Sequence, residues 1–201
     1  LLHNQPAEFD TVATRADDTC LIIYTSGTTG RPKGAELTHS NMTINPMITR
    51  DMGKSTKDDV LLVVLPLFHS FGFSCQMLTG ILTGCTLVLQ ARFDAGAVLR
   101  AFQDEGITLF AGVPTMYWDL LNYPDLDKFN IDAISKRLRL CNSGGAAMPV
   151  EVMKRFEEKF NVTILEGYGL SETSPVASFN QLGKPRKAGS IGLPIWGVEM
   201  K

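Results

Sequence analysis

An excess of charge of either sign is the first thing this sequence lacks. Its 19 Lys and Arg against 21 Asp and Glu leave a net charge of -2 and a pI near 5.9. No Lys/Arg stripe is interleaved with aromatics, which argues against nucleic acid as a partner and for small molecules. Cysteine is scarce too. Cys20, Cys75, Cys85 and Cys141 form no C-x-x-C pair and have no His at metal-ligand spacing; this argues against a zinc site and for reduced thiols in a cytosolic protein. The opening LLHNQPAEFD has no basic region followed by an apolar one, so no signal peptide is read there. Internal repeats and low-complexity tracts are missing as well. Another absence points the other way: from Val60 to Ala91 there is no Asp, Glu, Lys or Arg, and Gly72 to Leu89 alone is long enough to span a membrane. Pro66, His69, Gly72, Gln76, Gly80 and Gly84 interrupt that stretch, however. VLLVVLP and CTLVLQ then read as short strands around a glycine-bounded helix, so a buried strand-helix-strand unit is expected and no transmembrane segment. The sequence also has no initiator Met and stops at WGVEMK without a closing signal, and it reads as a piece of a longer chain.

What is present is enough apolar material for a core. With 201 residues, 44% of them hydrophobic, the chain can bury one sizeable core or two small ones. Apolar runs predict strands at Cys20–Tyr24, Leu61–Leu65, Thr86–Leu89, Thr108–Gly112, Leu138–Asn142 and Thr163–Glu166. Helical patterns lie between them at Thr38–Met52, Phe73–Leu82, Ala95–Glu105, Pro114–Asn122 and Pro149–Phe160. Asp94 suits an N-cap, and Pro114 and Pro149 suit a first helical turn, where no backbone donor is needed. This alternation predicts an α/β fold, a layered and mostly parallel sheet with crossover helices. Ligands in such sheets sit at the carboxyl ends of strands, which singles out the junctions after Tyr24, Leu65, Ala111, Asn142 and Glu166. Gly183–Gly189 is expected to be a surface loop.

Chemistry gathers at those junctions. After the strand CLIIY comes YTSGTTGRPKG, in which glycines let backbone approach an anion, Thr25, Ser26, Thr28 and Thr29 offer hydrogen bonds, and Lys33 supplies a point charge. It is not a Walker loop, because Lys33 lies between Pro32 and Gly34 rather than between Gly and Ser or Thr. Read alone, it is equally a polar turn. LCNSGGAAMPVEVMKRFEEKF ends a strand in Ser143-Gly144-Gly145, where a planar ring or a chain can lie on backbone with no Cβ between; a tight turn is the plainer reading. ILEGYGLSETSP offers Gly167-Tyr168-Gly169 for a nucleobase and Glu172 for Mg2+, which commonly binds through one or two carboxylates plus substrate phosphates; a solvated Glu is the commoner case. In PLFHSFGF, His69 among phenylalanines could orient an acid group or be a core histidine.

Three of these segments in this order, YTSGTTGRPKG, a strand ending in Gly-Gly-Ala, and EGYGLSE, together resemble the adenylate-forming superfamily of acyl-CoA synthetases, luciferases and peptide-synthetase adenylation domains. GSIGLPIWGVEMK resembles the family's next motif, so the resemblance covers residues 1–201, and PLFHSFGF is most similar to the fatty-acid-CoA ligases. The resemblance implies a fragment of the large N-terminal domain of an adenylate-forming enzyme, with the C-terminal domain absent and the fragment inactive alone. It implies that ATP, Mg2+ and coenzyme A are used on a small carboxylic acid, a medium- or long-chain fatty acid, with an aryl or amino acid as the alternative within the family. A non-catalytic nucleotide-binding module is the alternative outside it. No Asp lies between Phe68 and Leu89, and amino-acid activators in the family carry one there for the ammonium group, so an uncharged tail is favoured. Site residues follow by position. Thr25, Ser26, Gly27, Thr28, Thr29, Gly30 and Lys33 would hold the β- and γ-phosphates, with Thr25 and Glu172 at Mg2+ and Ser171 at the α-phosphate. Gly144, Gly145, Glu166, Gly167, Tyr168 and Gly169 would line the adenine site and adjoining acyl pocket, and His69 would stand beside the acid carboxylate. Ser171 replaces the family's commoner Thr and keeps the hydroxyl. A cytoplasmic enzyme is implied, for which a homodimer and a peripheral place at the membrane are both compatible.

Overall fold

The computed structural model of the chain describes residue 6, residues 8–26 and residues 30–201. Its strands, in chain order, are β1 (Thr19–Thr25), β2 (Lys33–Thr38), β3 (Val60–Val63), β4 (Thr86–Leu89), β5 (Leu109–Gly112), β6 (Leu140–Ser143), β7 (Ile164–Gly169), β8 (Val176–Phe179) and β9 (Leu193–Pro194). Among the described residues, seven of them form one sheet in the order β4-β3-β5-β6-β7-β8-β9, while β1 and β2 pair only with each other. β3 to β7 run parallel. The carboxyl half of β7 pairs with β8, and β8 with β9, in antiparallel fashion.

The parallel strands read as unbroken apolar runs because both of their faces are covered. Helices α3 (Ala95–Asp104), α4 (Pro114–Leu121), α5 (Ile131–Ser135) and α6 (Val150–Phe160) cover one face. There Leu62, Phe110, Cys141 and Ile164 meet Phe102, Tyr117, Phe156 and Phe160, with Tyr117 and Phe156 edge to face at 4.9 Å. Leu61, Val63, Leu109, Leu140 and Leu165 face the other way, toward α1 (His39–Gly53), a π-helix at Phe71–Leu78 and α2 (Thr79–Thr83). Caps fix where the helices start. Asp94 accepts from Ala97 N at 2.8 Å at the head of α3, and Thr38 and Asn41 form a reciprocal capping box on α1.

At the amino ends of β3, β5 and β6 a polar network closes the sheet. Arg139 grips Asp59 through two bonds of 2.8 and 2.6 Å and donates to Gly53 O and Lys54 O, both at 3.1 Å. Thr108 Oγ1 and Thr56 N donate to the same carboxylate at 2.7 and 2.8 Å. Burial alone would raise the Asp59 carboxyl, but the hydrogen bonds from Arg139, Thr108 and Thr56 outweigh it and hold it at about 2.

The structure corrects the expected fold at several points. The Cys20–Tyr24 run belongs not to the parallel sheet but to the β1–β2 hairpin, so its junction is not a carboxyl end of the main sheet. The helix expected over Phe73–Leu82 begins earlier and is a π-helix over Phe71–Leu78, turning α-helical only from Thr79, and Gly72 lies so close to Leu65 O and Pro66 O that a Cβ would come within 2.8 and 2.6 Å of them. β7 runs on through Gly167-Tyr168-Gly169, which are strand rather than loop. Pro149 caps α6 rather than opening its first turn. Gly183–Gly189 is exposed, as expected. Among the described residues the four cysteines are free, and no helix is long and apolar enough to cross a membrane.

Candidate active site

The glycine- and hydroxyl-rich loop is carried by the hairpin. Thr25 pairs with Lys33 across the last rung, and its hydroxyl donates to Lys33 O at 3.4 Å. Gly27, Thr28 and Thr29 lie outside the described residues. Of their neighbours, Ser26 is exposed and Gly30 takes φ +78°, a left-handed conformation that glycine adopts without strain. Lys33 is exposed and forms no ion pair among the described residues.

A cleft of about 170 Å³ opens where the π-helix passes over the ends of β6 and β7. It brings together His69, Gly144, Gly145, Gly167, Tyr168, Gly169 and Ser171, which lie as much as 102 residues apart in sequence (171 − 69). His69 Nδ1 accepts from Phe71 N at 3.1 Å. The neutral ring therefore carries its proton on Nε2, as a donor. The glycines do accept rings against backbone, but the rings are the protein's own. A Cβ on Gly144 would meet the Phe71 ring at 3.3 Å, and one on Gly167 would collide with Phe179. Beyond Phe71 and Phe179 lies a second chamber of about 30 Å³, bounded also by Thr49, Cys75 and Asn142. That is room for about one water-sized group. The buried Oδ1 of Asn142 has no hydrogen-bond partner within the protein. Burial pushes the Cys75 thiol up to about 12 against an opposing hydrogen bond from Thr49, so it is a thiol and not a nucleophilic thiolate.

Glu166 stands apart from this cleft. It is buried, and its carboxylate accepts from Gly189 N at 2.9 Å. Its carbonyl takes Asn180 N and Nδ2, both at 3.0 Å. Glu172 sits beside the cleft on the 3-10 turn Ser171–Thr173, exposed and without a hydrogen bond or ion pair among the described residues. Thr173 Oγ1 accepts from Leu170 N at 3.0 Å and donates to Pro175 O, which fixes the turn. β2 packs against it, so the strand that begins at Lys33 adjoins the turn that carries Glu172.

The sequence reading misses Asn45. This buried residue of α1 donates to Thr173 O at 3.2 Å and to Val176 O at 3.0 Å, and accepts from Val176 N at 3.3 Å. The available signal was Asn-Pro inside a helical pattern, two poor helix formers side by side.

Comparison with known proteins gives the arrangement a family. The chain is 38% identical over 189 residues to a feruloyl-CoA synthase of Amycolatopsis, with 92% of this chain and 37% of that protein covered. Over 179 residues it is 38% identical to a long-chain-fatty-acid-CoA ligase of Bacillus subtilis, with 88% of this chain and 31% of that protein covered. It thus spans about a third of the length of these curated relatives. Among solved structures, ATP-bound MatB from Rhodopseudomonas palustris superposes with a TM-score of 0.85 at 32% identity, covering 94% of this chain and 36% of that one. The model of the AMP-binding enzyme family matches residues 2–201, and the chain belongs to that family.

Proposed function

We propose that this chain is the nucleotide- and acid-binding part of an ATP-dependent acid-CoA ligase longer than the chain itself. The observation that carries the reading is the meeting of the hairpin's second strand with the Ser171–Thr173 turn, beside a cleft headed by His69. Lys33, with Thr25, Ser26 and Gly30, then faces the triphosphate, and Ser171 the α-phosphate. The backbone at Gly144-Gly145 and the strand Gly167-Tyr168-Gly169 take the adenine, with Glu166 shaping that wall from behind through Gly189. His69 Nε2–H donates to one oxygen of the acid carboxylate.

The chemistry fits groups of this kind. A carboxylate is a weak electrophile, so one of its oxygens attacks the α-phosphorus. The bond from that phosphorus to the bridging oxygen breaks, and pyrophosphate leaves. Coenzyme A then attacks the acyl carbon through sulfur, the bond to the phosphate oxygen breaks, AMP leaves, and the thiol proton passes to solvent. Negative charge develops on phosphoryl oxygens throughout, where positioned donors and Lys33 stabilise it. No side-chain nucleophile takes part, in keeping with the protonated Cys75.

Mg2+ fits the donor set as an ion brought in with ATP. No cluster of three or more His, Cys, Asp or Glu side chains exists among the described residues, yet Glu172 presents one carboxylate free of internal partners, and one carboxylate plus substrate phosphates suffices. Glu172 and the Thr25 hydroxyl would hold it, and it would supply charge neutralisation on the phosphates.

For the acid, the Phe71, Val176 and Phe179 walls favour an uncharged tail, and we read a medium- or long-chain fatty acid. The unpartnered Oδ1 of Asn142, a residue that borders the far chamber, favours a second reading, an aryl acid with one hydroxyl at its far end. Pyrophosphate release by the full-length protein, assayed with acids from acetate to palmitate plus coumarate and ferulate, decides between them. Fastest turnover with alkyl acids of eight or more carbons is expected; preference for the hydroxylated aryl acids selects the second reading, and no acid-dependent release overturns the ligase assignment.

A further inference from the structure

The two polar segments that the proposed function joins come from distant parts of the chain, and backbone pairing alone does not link them. β2 leads through the Thr38 cap directly into α1, so the hairpin and this helix are one continuous unit. The Ser171–Thr173 turn belongs instead to the connection between β7 and β8 of the large sheet. Asn45 bridges them. One side chain, 5% exposed, satisfies a carbonyl of the turn itself and both backbone groups of Val176, across 128 and 131 residues of sequence. Both ends of its amide are used, and that geometry requires a planar group with a donor and an acceptor. Pro46, which follows it, lacks the backbone donor of an ordinary helical residue. A residue so poorly suited to a helix interior is held there by what it binds.

We infer that Asn45 is a positioning residue that holds the Glu172 turn at a fixed place relative to α1 and the β2 strand that begins at Lys33, and so sets the affinity for the metal-bound triphosphate. This rests on the reading of Glu172 as a Mg2+ ligand. Without the bridge the turn keeps its own Leu170–Thr173–Pro175 bonds, so it stays folded as a turn but loses its tie to α1. Outer partners that orient a metal ligand commonly change metal affinity or activity by about 10- to 100-fold when removed.

The test uses the full-length protein and acid-dependent pyrophosphate exchange, titrated with Mg2+ and separately with the acid. Asn45→Ala is expected to raise the Mg2+ concentration for half-maximal exchange by about tenfold while leaving the KM for the acid unchanged. Asn45→Asp, nearly isosteric, still accepts from Val176 N but cannot donate to either carbonyl, and it is expected to move the Mg2+ midpoint in the same direction; it carries the test if Asn45→Ala does not fold. In the Asn45→Ala/Glu172→Ala double variant the midpoint is expected to match that of Glu172→Ala alone. A simple loss of packing would lower the melting temperature and move both titrations together. If Glu172→Ala shifts the midpoint and the folded Asn45 variants do not, or if the two effects multiply, the inference is overturned. If Glu172→Ala leaves the midpoint where it was, the metal reading of Glu172 fails first, and the inference with it.

Discussion

The amino and carboxyl ends of the same strands are built differently. Where β3, β5 and β6 begin, Asp59, Thr108 and Arg139 form a network in which both carboxylate oxygens are bonded. Where those strands end, the buried Ser70 Oγ, Ser74 Oγ, Gln76 Oε1 and Asn142 Oδ1 have no partner within the protein. Gln76 uses only its amide nitrogen, which donates to Leu62 O and Ala111 O, each at 3.1 Å. Buried polar atoms without partners cost free energy. Among the described residues these unpartnered atoms lie at the end of the sheet where the proposed site is, while the opposite end is saturated within the protein.

The comparison can be broken at either end. Arg139→Met leaves Asp59 as a buried charge without its main partner and is expected to destabilise the fold by about 3–5 kcal/mol in denaturant titration, with KM values of the surviving folded fraction unchanged. A shift in KM for ATP or acid would mean that the two ends are not independent. The same network predicts an acid limb. Asp59 titrates near 2 in the folded chain against an ordinary 3.8, so its stabilisation is complete above about pH 4, falls as the pH drops toward 2 and is gone below that. Asp59→Asn should flatten that limb in melting curves taken between those values. At the other end, Lys33→Ala is expected to slow adenylation by about 10²-fold with the melting temperature unchanged, since the side chain is exposed. A comparable fall in melting temperature would assign Lys33 to the fold instead. The smallest effect is expected from Gly144→Ala, whose Cβ would press on the Phe71 ring at 3.3 Å and cost roughly 1 kcal/mol. Its signature is a raised KM for ATP, whose adenine the proposed site sets on that backbone, together with a raised KM for the acid that Phe71 borders, read from initial rates.

Much of the sheet was legible because buried parallel strands are written as short apolar runs, and LLVV, TLVL and LFAG need no partner to be recognised. β2 was not legible. KGAELT carries charge and glycine, and it is a strand only because β1 pairs with it. β9, two residues long, has the same dependence. The π-helix escaped for another reason: Gly72 lies close against Leu65 O and Pro66 O, a tertiary approach that the local helical pattern does not announce. Within the site, Gly144 and Gly145 follow the end of β6 where the motif puts a junction, whereas Gly167 and Gly169 lie inside β7, and which ring lies on these glycines is a tertiary fact. Glu166 looked like a cleft residue because it precedes Gly167-Tyr168-Gly169. Its carboxylate instead accepts from Gly189 N, a contact 23 residues along the chain that no local pattern announces.

The rings lying on Gly144 and Gly167 also bear on how a binding site like this one can change. Its inner wall is bare main chain, which substitution cannot trim further. If the cleft holds the acid as proposed, room for a different one comes from the opposing side, by exchanging Phe71 or Phe179 for something smaller, one side chain at a time and without moving a strand. A change of substrate in such a pocket is thus a subtraction at two positions, and added bulk on the glycines only closes it.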